Sequence, residues 1–235
     1  MTHGIDIQSI SLTREGAEVF RDFSLQLRER RIGIVGRNGA GKSSLIRLIS
    51  GLVAPQSGMV KVEGVDVLKD RAGALETVGL LFQNPDHQII FPAVVEEIAF
   101  GLEQQGLSRA EARARARSVL AHHGRADWED RLSHALSQGQ RQLLCLMAVL
   151  AMEPRWILFD EPFASLDMPT GLAIEARIKA LKQNVVIVTH DPSRVEGFDR
   201  ILWLEAGKIA ADGSPDEVLP RYRAAMEDLA RSMAC

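Results

Sequence analysis

The sequence predicts an α/β fold: a sheet covered by helices on both faces, interrupted by an inserted α-helical subdomain. Three observations lead there. Short apolar runs alternate with helical segments, as in parallel sheets buried on both faces. A glycine-rich loop, Gly36 to Ser43, lies between one such run and a helix. Between about residues 85 and 150 the texture turns helical and polar and interrupts the alternation.

Taken in order, Ile5 to Leu12 alternates in part and predicts an opening strand, followed by a turn at Glu15-Gly16. A second strand is expected from Phe23 to Leu27, a third from Ile32 to Val35, and a helix from Lys42 to Leu52. Val60 to Val62, Glu63-Gly64 and Val65 to Val67 read as a β-hairpin turning on its glycine. Val78 to Phe82 is another strand. In the helical stretch, Glu111 to His122 carries Arg113 and Arg117 on one face with alanines between. Such a face either docks acidic or phosphate groups or is a solvated helix of high intrinsic propensity; the second reading is favoured. Strands return at Trp156 to Phe159 and Val185 to Thr189, with a helix, Leu172 to Leu181, between them. Ile201 to Leu204, a turn at Ala206-Gly207 and Ile209 to Ala211 form a last hairpin, and the tail at 216–235 is helical. Residues 1–235 are expected to form a single domain, with the helical insertion at about 85–150.

Composition narrows the function classes. With 46% hydrophobic and 25% charged residues, the chain can bury an ordinary globular core. A net charge of -3 gives no basis for a nucleic-acid partner or a polybasic membrane anchor. Cys145 lies in an apolar helical run and Cys235 is the last residue, so no disulfide framework is expected, which fits a reducing compartment. Met1 to Ile5 has neither the basic nor the apolar region of a signal peptide. The longest apolar run, Leu143 to Met152, is half the ~20 residues that span a bilayer, so it reads as a buried helix. Any transmembrane pore must be another chain.

Gly36-Arg37-Asn38-Gly39-Ala40-Gly41-Lys42-Ser43, followed by Ser44, matches the pattern GxxxxGK(S/T). Its glycines let backbone N–H groups wrap phosphates without Cβ clashes, and the next helix aims its N-terminal dipole at the same anion. Lys42 can reach the β- and γ-phosphates, and the Ser43 hydroxyl can ligate Mg²⁺. Binding of ATP or GTP is implied; the reaction is not.

Trp156 to Phe159 runs into Asp160-Glu161-Pro162. Strand ends of such sheets face the ligand crevice. Asp160 then suits Mg²⁺, and Glu161 can orient or deprotonate an attacking water. The plainer alternative is a pair of acids capping the next helix.

Leu136-Ser137-Gln138-Gly139-Gln140 opens a helix, and Ser137 with Gln140 makes a capping box. Gly139 adds nothing to a helix, whereas a serine hydroxyl and bare glycine N–H at a helix N-terminus offer a second anion site. One ATP cannot use two distant sites in one chain; two chains arranged head to tail can.

In these motifs the sequence resembles the ATP-binding subunits of ABC transporters over essentially its whole length, which implies a P-loop NTPase fold with a mixed sheet and an N-terminal antiparallel β part. Gly36 to Ser43 is similar to the Walker A loop, Trp156 to Glu161 to Walker B, and Leu136 to Gln140 to the signature. Gln83 resembles the glutamine that contacts Mg²⁺ and senses the transmembrane partner, and Ser165-Leu166-Asp167 the D-loop. His190 resembles the switch histidine that contacts the γ-phosphate. The resemblance implies ATP and Mg²⁺, catalysis through Glu161, His190 and Gln83, and metal contacts from Ser43, Gln83 and Asp160. It also implies a second ATPase subunit whose Ser137, Gly139 and Gln140 complete the site. Two departures stand out. No clear aromatic residue stacks on adenine, with Arg14 or Phe20 as the candidates, and Arg28 to Arg31 lacks the family's glycine turn.

Phe82 to Asp86, continuing through Gln88, Phe91, Val94 and Glu96 to Gly101, is most similar to the ATPases of energy-coupling-factor (ECF) importers. These take up vitamins or transition metal ions; biotin is favoured here, with cobalt and nickel close behind. That likeness implies a transmembrane coupling subunit and a substrate-binding membrane subunit, and a place on the cytoplasmic face of the membrane. Ile89, Ile90, Phe91 and Val94 would receive an amphipathic coupling helix, or else form the subdomain's own core. Two other classes compete. A soluble ABC ATPase acting on DNA or ribosomes would carry a long coiled coil or a second ATPase domain, and a regulatory switch without turnover would commonly lack Glu161.

Overall fold

The computed structural model describes residues 3–164 and 166–233. Strands β1 (Ile5–Arg14) and β2 (Ala17–Leu27) join through Glu15 and Gly16, both with positive φ, the geometry that matches strand twist in a tight hairpin. β2 begins at Ala17 rather than Phe23. Ladder bonds to β1 carry it through the exposed Glu18 and Arg21, where apolar alternation gives no signal. β3 (Arg31–Val35) leads to α1 (Lys42–Ile49), which stops short of Leu52 because Gly51 turns to a φ of 71°. β4 (Ser57–Val62) and β5 (Val65–Asp66) form the expected hairpin on Glu63-Gly64.

α2 (Arg71–Thr77) is not anticipated by the sequence pattern. It buries only Ala74 and Thr77 and so lacks an apolar stripe; the Asp70 carboxylate caps it, accepting from the Gly73 N–H at 2.9 Å. Then come β6 (Val78–Leu81), α3 (Val94–Gln104), α4 (Arg109–His122), α5 (Gln138–Ala151), β7 (Trp156–Asp160) and α6 (Met168–Lys179). β8 (Asn184–Thr189), β9 (Arg200–Glu205), β10 (Lys208–Gly213) and α7 (Pro215–Met233) complete the order.

The chain divides into two units, Met1–Lys69 with Asn184–Cys235, and Asp70–Gln183. In the first, an antiparallel sheet runs β2-β1-β4-β5, and a mixed set runs β10-β9-β3-β8, parallel except for the β9–β10 pair. β3 and β8 are fully covered: Ile32, Ile34, Val35 and Val185 to Val188 are at most 1% exposed. Each such side chain contributes about 1.5–3 kcal/mol relative to exposure, so this pair is a rigid platform for whatever its ends carry. The departure at Arg28 to Arg31 has a structural reason. Arg28 pairs with Asp6 and donates to the Ile5 carbonyl at 3.0 Å, Glu29 accepts from Arg200 at 3.0 Å, and the Arg31 N–H donates to Asp199 at 2.8 Å. This polar clasp holds the approach to β3 without a glycine.

In the second unit β6 and β7 pair in parallel, and α3, α4 and α5 share an apolar core that includes Val94, Ile98, Leu120, Trp128 and Met147. The alanine–arginine pattern of α4 resolves by face. Ala112 and Ala116 are fully buried, letting helices approach closely, while Arg113 pairs with Glu96 and Arg117 with Glu129. Cys145 is buried in α5, and burial pushes its thiol pKa up, so it is an inert core residue. Cys235 lies outside the described residues. Among the described residues no helix is long and apolar enough to cross a membrane.

Candidate functional site

In the first unit Val35 of β3 pairs in parallel with Thr189 of β8, so Gly36 and His190 leave neighbouring strands at the same end. Gly36 could be nothing else: its φ is 157°, and a Cβ would stand 2.2 Å from the Leu204 carbonyl oxygen of β9. The loop is thereby pressed against the sheet end. Arg37, Asn38 and Gly39 are exposed and Ala40 is buried; Gly41 then precedes α1, whose first intrahelical bond is Leu45 N–H to the Gly41 carbonyl at 2.9 Å. The helix N-terminus therefore points into the loop. Lys42 is 6% exposed, and its ammonium spans the loop, donating to the carbonyls of Gly36 at 2.7 Å and Arg37 at 3.0 Å. Ser43 is half-buried and Ser44 buried. His190 is exposed at the end of β8, and the next residue, Asp191, caps the turn Pro192–Val195 by accepting from Ser193. Burial works to raise the Asp191 pKa, but the Ser193 hydrogen bonds and Arg194 outweigh it and hold Asp191 below the usual range, a fixed anion beside the histidine.

The second unit repeats the device. Leu81 of β6 pairs in parallel with Phe159 of β7, so Gln83 and the acids Asp160 and Glu161 emerge from neighbouring strand ends. Asp160 closes β7 at 5% exposure. Glu161 sits at a φ of 49°, left-handed backbone that costs a non-glycine residue about 1–3 kcal/mol and that clusters at functional sites. Each in its own unit, the Ser43 hydroxyl and the Asp160 carboxylate are hard oxygen donors, the chemistry Mg²⁺ prefers.

At the start of α5 the capping box is present in both directions. The Ser137 N–H donates to the Gln140 amide oxygen at 2.9 Å, and the Gln140 N–H to the Ser137 hydroxyl at 3.3 Å. Ser137 and Gln138 are exposed, so nothing in their own unit covers this helix end. Gly139 has a second reason to be glycine: a Cβ there would lie 2.5 Å from Thr170 Cγ2 of α6.

Gln83 is exposed, and the segment around it is tied down by residues whose role the motifs do not announce. The Gln88 side chain accepts from the Phe82 N–H at 3.1 Å and donates to the Leu80 carbonyl at 3.3 Å. Gln142 of α5, 2% exposed, donates to the Phe82 carbonyl at 3.4 Å, and Arg141 pairs with Asp86 at 2.9 Å. The only sequence signal for Gln142 is a polar residue on the buried face of an apolar helix. Beyond this segment Val94 belongs to the core and Ile89 packs against it, whereas Ile90 is 69% exposed. The rings of Phe91 and Phe100, 5.1 Å apart, line a hollow of about 300 Å³ with Glu96, Glu103, Arg109 and Arg113. The buried Glu97 carboxylate accepts from the N–H groups of Ile90 and Phe91, both at 2.9 Å.

The family model of ABC transporters matches residues 20–164, and the biotin transport ATP-binding protein BioM of Rhodobacter capsulatus is 74% identical over 231 residues, 98% of this chain and 99% of that protein. The chain belongs to the ABC transporter family. It is an ATP-binding, ATP-hydrolysing subunit of that family. Among solved structures, cbiO1 from Clostridium perfringens, part of the ABC transporter complex cbiONQ, matches with a TM-score of 0.78 at 26% identity, covering 97% of this chain and 94% of that one. The dimeric structure of MJ0796, a bacterial ABC transporter cassette, matches with a TM-score of 0.78 at 25% identity, covering 90% of this chain and 98% of that one.

For an ABC ATPase, one of the two adenine candidates is removed. Phe20 is 1% exposed, stacked at 4.8 Å on Phe23 and close behind Gly41, so its ring braces the phosphate loop from inside the core. Arg14 is half-buried at the end of β1. Of the D-loop trio, Ser165 lies outside the described residues; Asp167 caps α6, accepting from the Thr170 N–H at 2.8 Å.

Proposed function

We propose that this chain is the ATPase of an ECF-type importer whose cargo is biotin. The observation that carries this reading is 74% identity to a biotin transport ATP-binding protein along almost the whole of both chains. The chain acts as one ATPase domain on the cytoplasmic face of the membrane, held there by a transmembrane coupling subunit that works with a substrate-binding membrane subunit. The rings of Phe91 and Phe100 and the exposed Ile90 would take the apolar face of an amphipathic helix from that coupling subunit, and Glu96, Glu103, Arg109 and Arg113 its polar face.

ATP is held by the loop Gly36 to Ser44, with Lys42 neutralising charge on the β- and γ-phosphates. Ser43, Asp160 and Gln83 would hold Mg²⁺, which would supply neutralisation of the phosphate charge. Glu161 orients or deprotonates the attacking water, and His190 contacts the γ-phosphate. Ser137, Gly139 and Gln140 of a second ATPase subunit complete each site, so a homodimer has two identical composite sites. The capped but uncovered end of α5, and the dimeric form of the related cassette, support that reading. ATP differs in its contacts with the open and closed pair, which is what a population shift requires. Closure then moves the segment around Gln83 and with it the coupling helix.

The test is uptake in cells that cannot make biotin, producing this chain with its membrane partners. Labelled biotin should accumulate with the wild-type chain and not with Glu161→Gln. Accumulation of cobalt or nickel instead would move the cargo to a metal ion. Co-purification with ribosomes or DNA rather than integral membrane chains would replace the importer reading.

A further inference from the structure

A second concave site lies in the Asp70–Gln183 unit, among residues that no ATP motif uses. A cavity of about 960 Å³ opens between the outer face of α4, the C-terminal end of α5 and the end of α6. Its lining is strongly basic: Arg115, His122, His123, Arg177 and Lys182. The one carboxylate among the described lining residues, Glu153, is taken by Arg115. The described lining therefore carries more permanent cations than carboxylates before either histidine is protonated. It is separate from the Arg113 and Arg117 face of α4, where Glu96 and Glu129 match the arginines.

The arrangement within the cavity is specific. Arg177 Nη1 lies 3.4 Å from His123 Nδ1, and the rings of His122 and His123 meet edge to face at 5.2 Å. Burial first, then Arg177 and His122, hold the His123 pKa below its ordinary value, so a guanidinium faces a neutral imidazole. Val119, Leu146 and Leu150 supply apolar wall, and low-dielectric walls focus the field of the basic groups into the space between them. The volume is at the upper end of small-ligand sites, about 300–1,000 Å³, and far exceeds one oxyanion.

We propose that this cavity binds a small polyanion, a metabolite-sized molecule carrying two or more phosphate or carboxylate groups, anchored by Arg177 and His123. The guanidinium offers paired donors to a planar or tetrahedral oxyanion. An anion placed against His123 favours the imidazolium, so binding takes up a proton and tightens as pH falls through the histidine range. The groups that set this response are Arg115, Glu153, His122, His123, Arg177 and Lys182, which come from α4, α6 and the residues just after α4, α5 and α6.

The experiment follows the ring resonances of labelled histidine in the full chain while inorganic pyrophosphate is added without Mg²⁺. It is run in the wild type and in Lys42→Ala, so that binding at the phosphate loop is reported separately by His190. The His122 and His123 signals should shift saturably in both proteins, and the His123 titration midpoint should rise by about one unit. Arg177→Gln, and separately Lys182→Gln, should weaken the apparent Kd at least about tenfold. Histidine signals unmoved at about 10 mM pyrophosphate would overturn the proposal. So would shifts confined to His190, or shifts of unchanged affinity in both variants.

Discussion

Val35 and Thr189 are register partners on adjacent parallel strands, and this one pairing delivers the phosphate loop and His190 to the same sheet end. Neither residue contacts a substrate. Their effect is topological: parallel strands in register end together, so the loops leaving them emerge on a common side. Leu81 and Phe159 do the same for Gln83, Asp160 and Glu161 in the other unit.

Lys42→Ala removes a nearly buried ammonium that crosses the loop to the carbonyls of Gly36 and Arg37. ATP affinity should collapse, and turnover should fall at least about a hundredfold, the scale of losing one positioned electrostatic donor. Nucleotide titration and steady-state hydrolysis check this; near-normal binding would remove Lys42 from the site.

Glu161→Gln preserves the shape of the side chain and removes the base. Binding should survive while hydrolysis drops about 10²–10⁴-fold, and ATP should accumulate closed dimers visible by size-exclusion chromatography. Unchanged turnover would show that another group handles the water.

Ser137→Arg places bulk and charge at an exposed helix end and should leave ATP binding to the single chain intact while stopping hydrolysis. Mixed in equal amount with Lys42→Ala, it should recover about a quarter of wild-type activity. Half of the dimers are then mixed, and each mixed dimer has one of its two sites intact. No recovery at all would count against sites shared between chains.

Gly139→Ala should lower thermal stability, because its Cβ would stand 2.5 Å from Thr170 Cγ2. Overpacking of this kind costs about 1–3 kcal/mol, offset in part by the better helix propensity of alanine. Thr170→Ser deletes that methyl and should restore most of the loss in the double variant. Failure of the rescue would return Gly139 to a role at the anion site alone.

Glu97 is raised above its ordinary pKa of 4.5 by burial, against the opposing effect of the Phe91 and Ile90 N–H groups. As pH rises past 4.5 the unfolded chain loses this proton before the folded one does, so stability falls until pH passes the folded pKa. Glu97→Gln keeps an oxygen acceptor for both N–H groups and has no proton to lose. Denaturant midpoints of the two proteins should therefore diverge as pH rises through that window, with the variant the more stable. A constant difference from pH 4 to pH 8 would rule out the titration.

Several elements were legible because their determinants are local. Glu63-Gly64 and Ala206-Gly207 adopt positive φ in tight hairpins, and a turn of that kind is written in two adjacent residues. The Ser137–Gln140 capping box is equally local, three residues apart on one helix end. α2 escaped because its start is fixed by one aspartate and its burial by two small side chains, too little for a periodic signal. The split among Ile89, Ile90 and Val94 was likewise invisible: all three are apolar, and only packing decides which one remains exposed.

Taken alone, the sequence determined the phosphate loop, the acids at a strand end, the serine-tipped helix and the α/β alternation around them, since each depends on residues near one another along the chain. Only the tertiary structure decided that Phe20 braces the loop from the core, that Gly139 yields to Thr170, and that Gln142 and Gln88 pin the segment before Gln83. It alone gathered Arg177 of α6 and His123 beside α4 into one cavity. Those contacts join residues far apart in the chain, and close packing specifies them by shape and reach, which no run of neighbouring letters encodes.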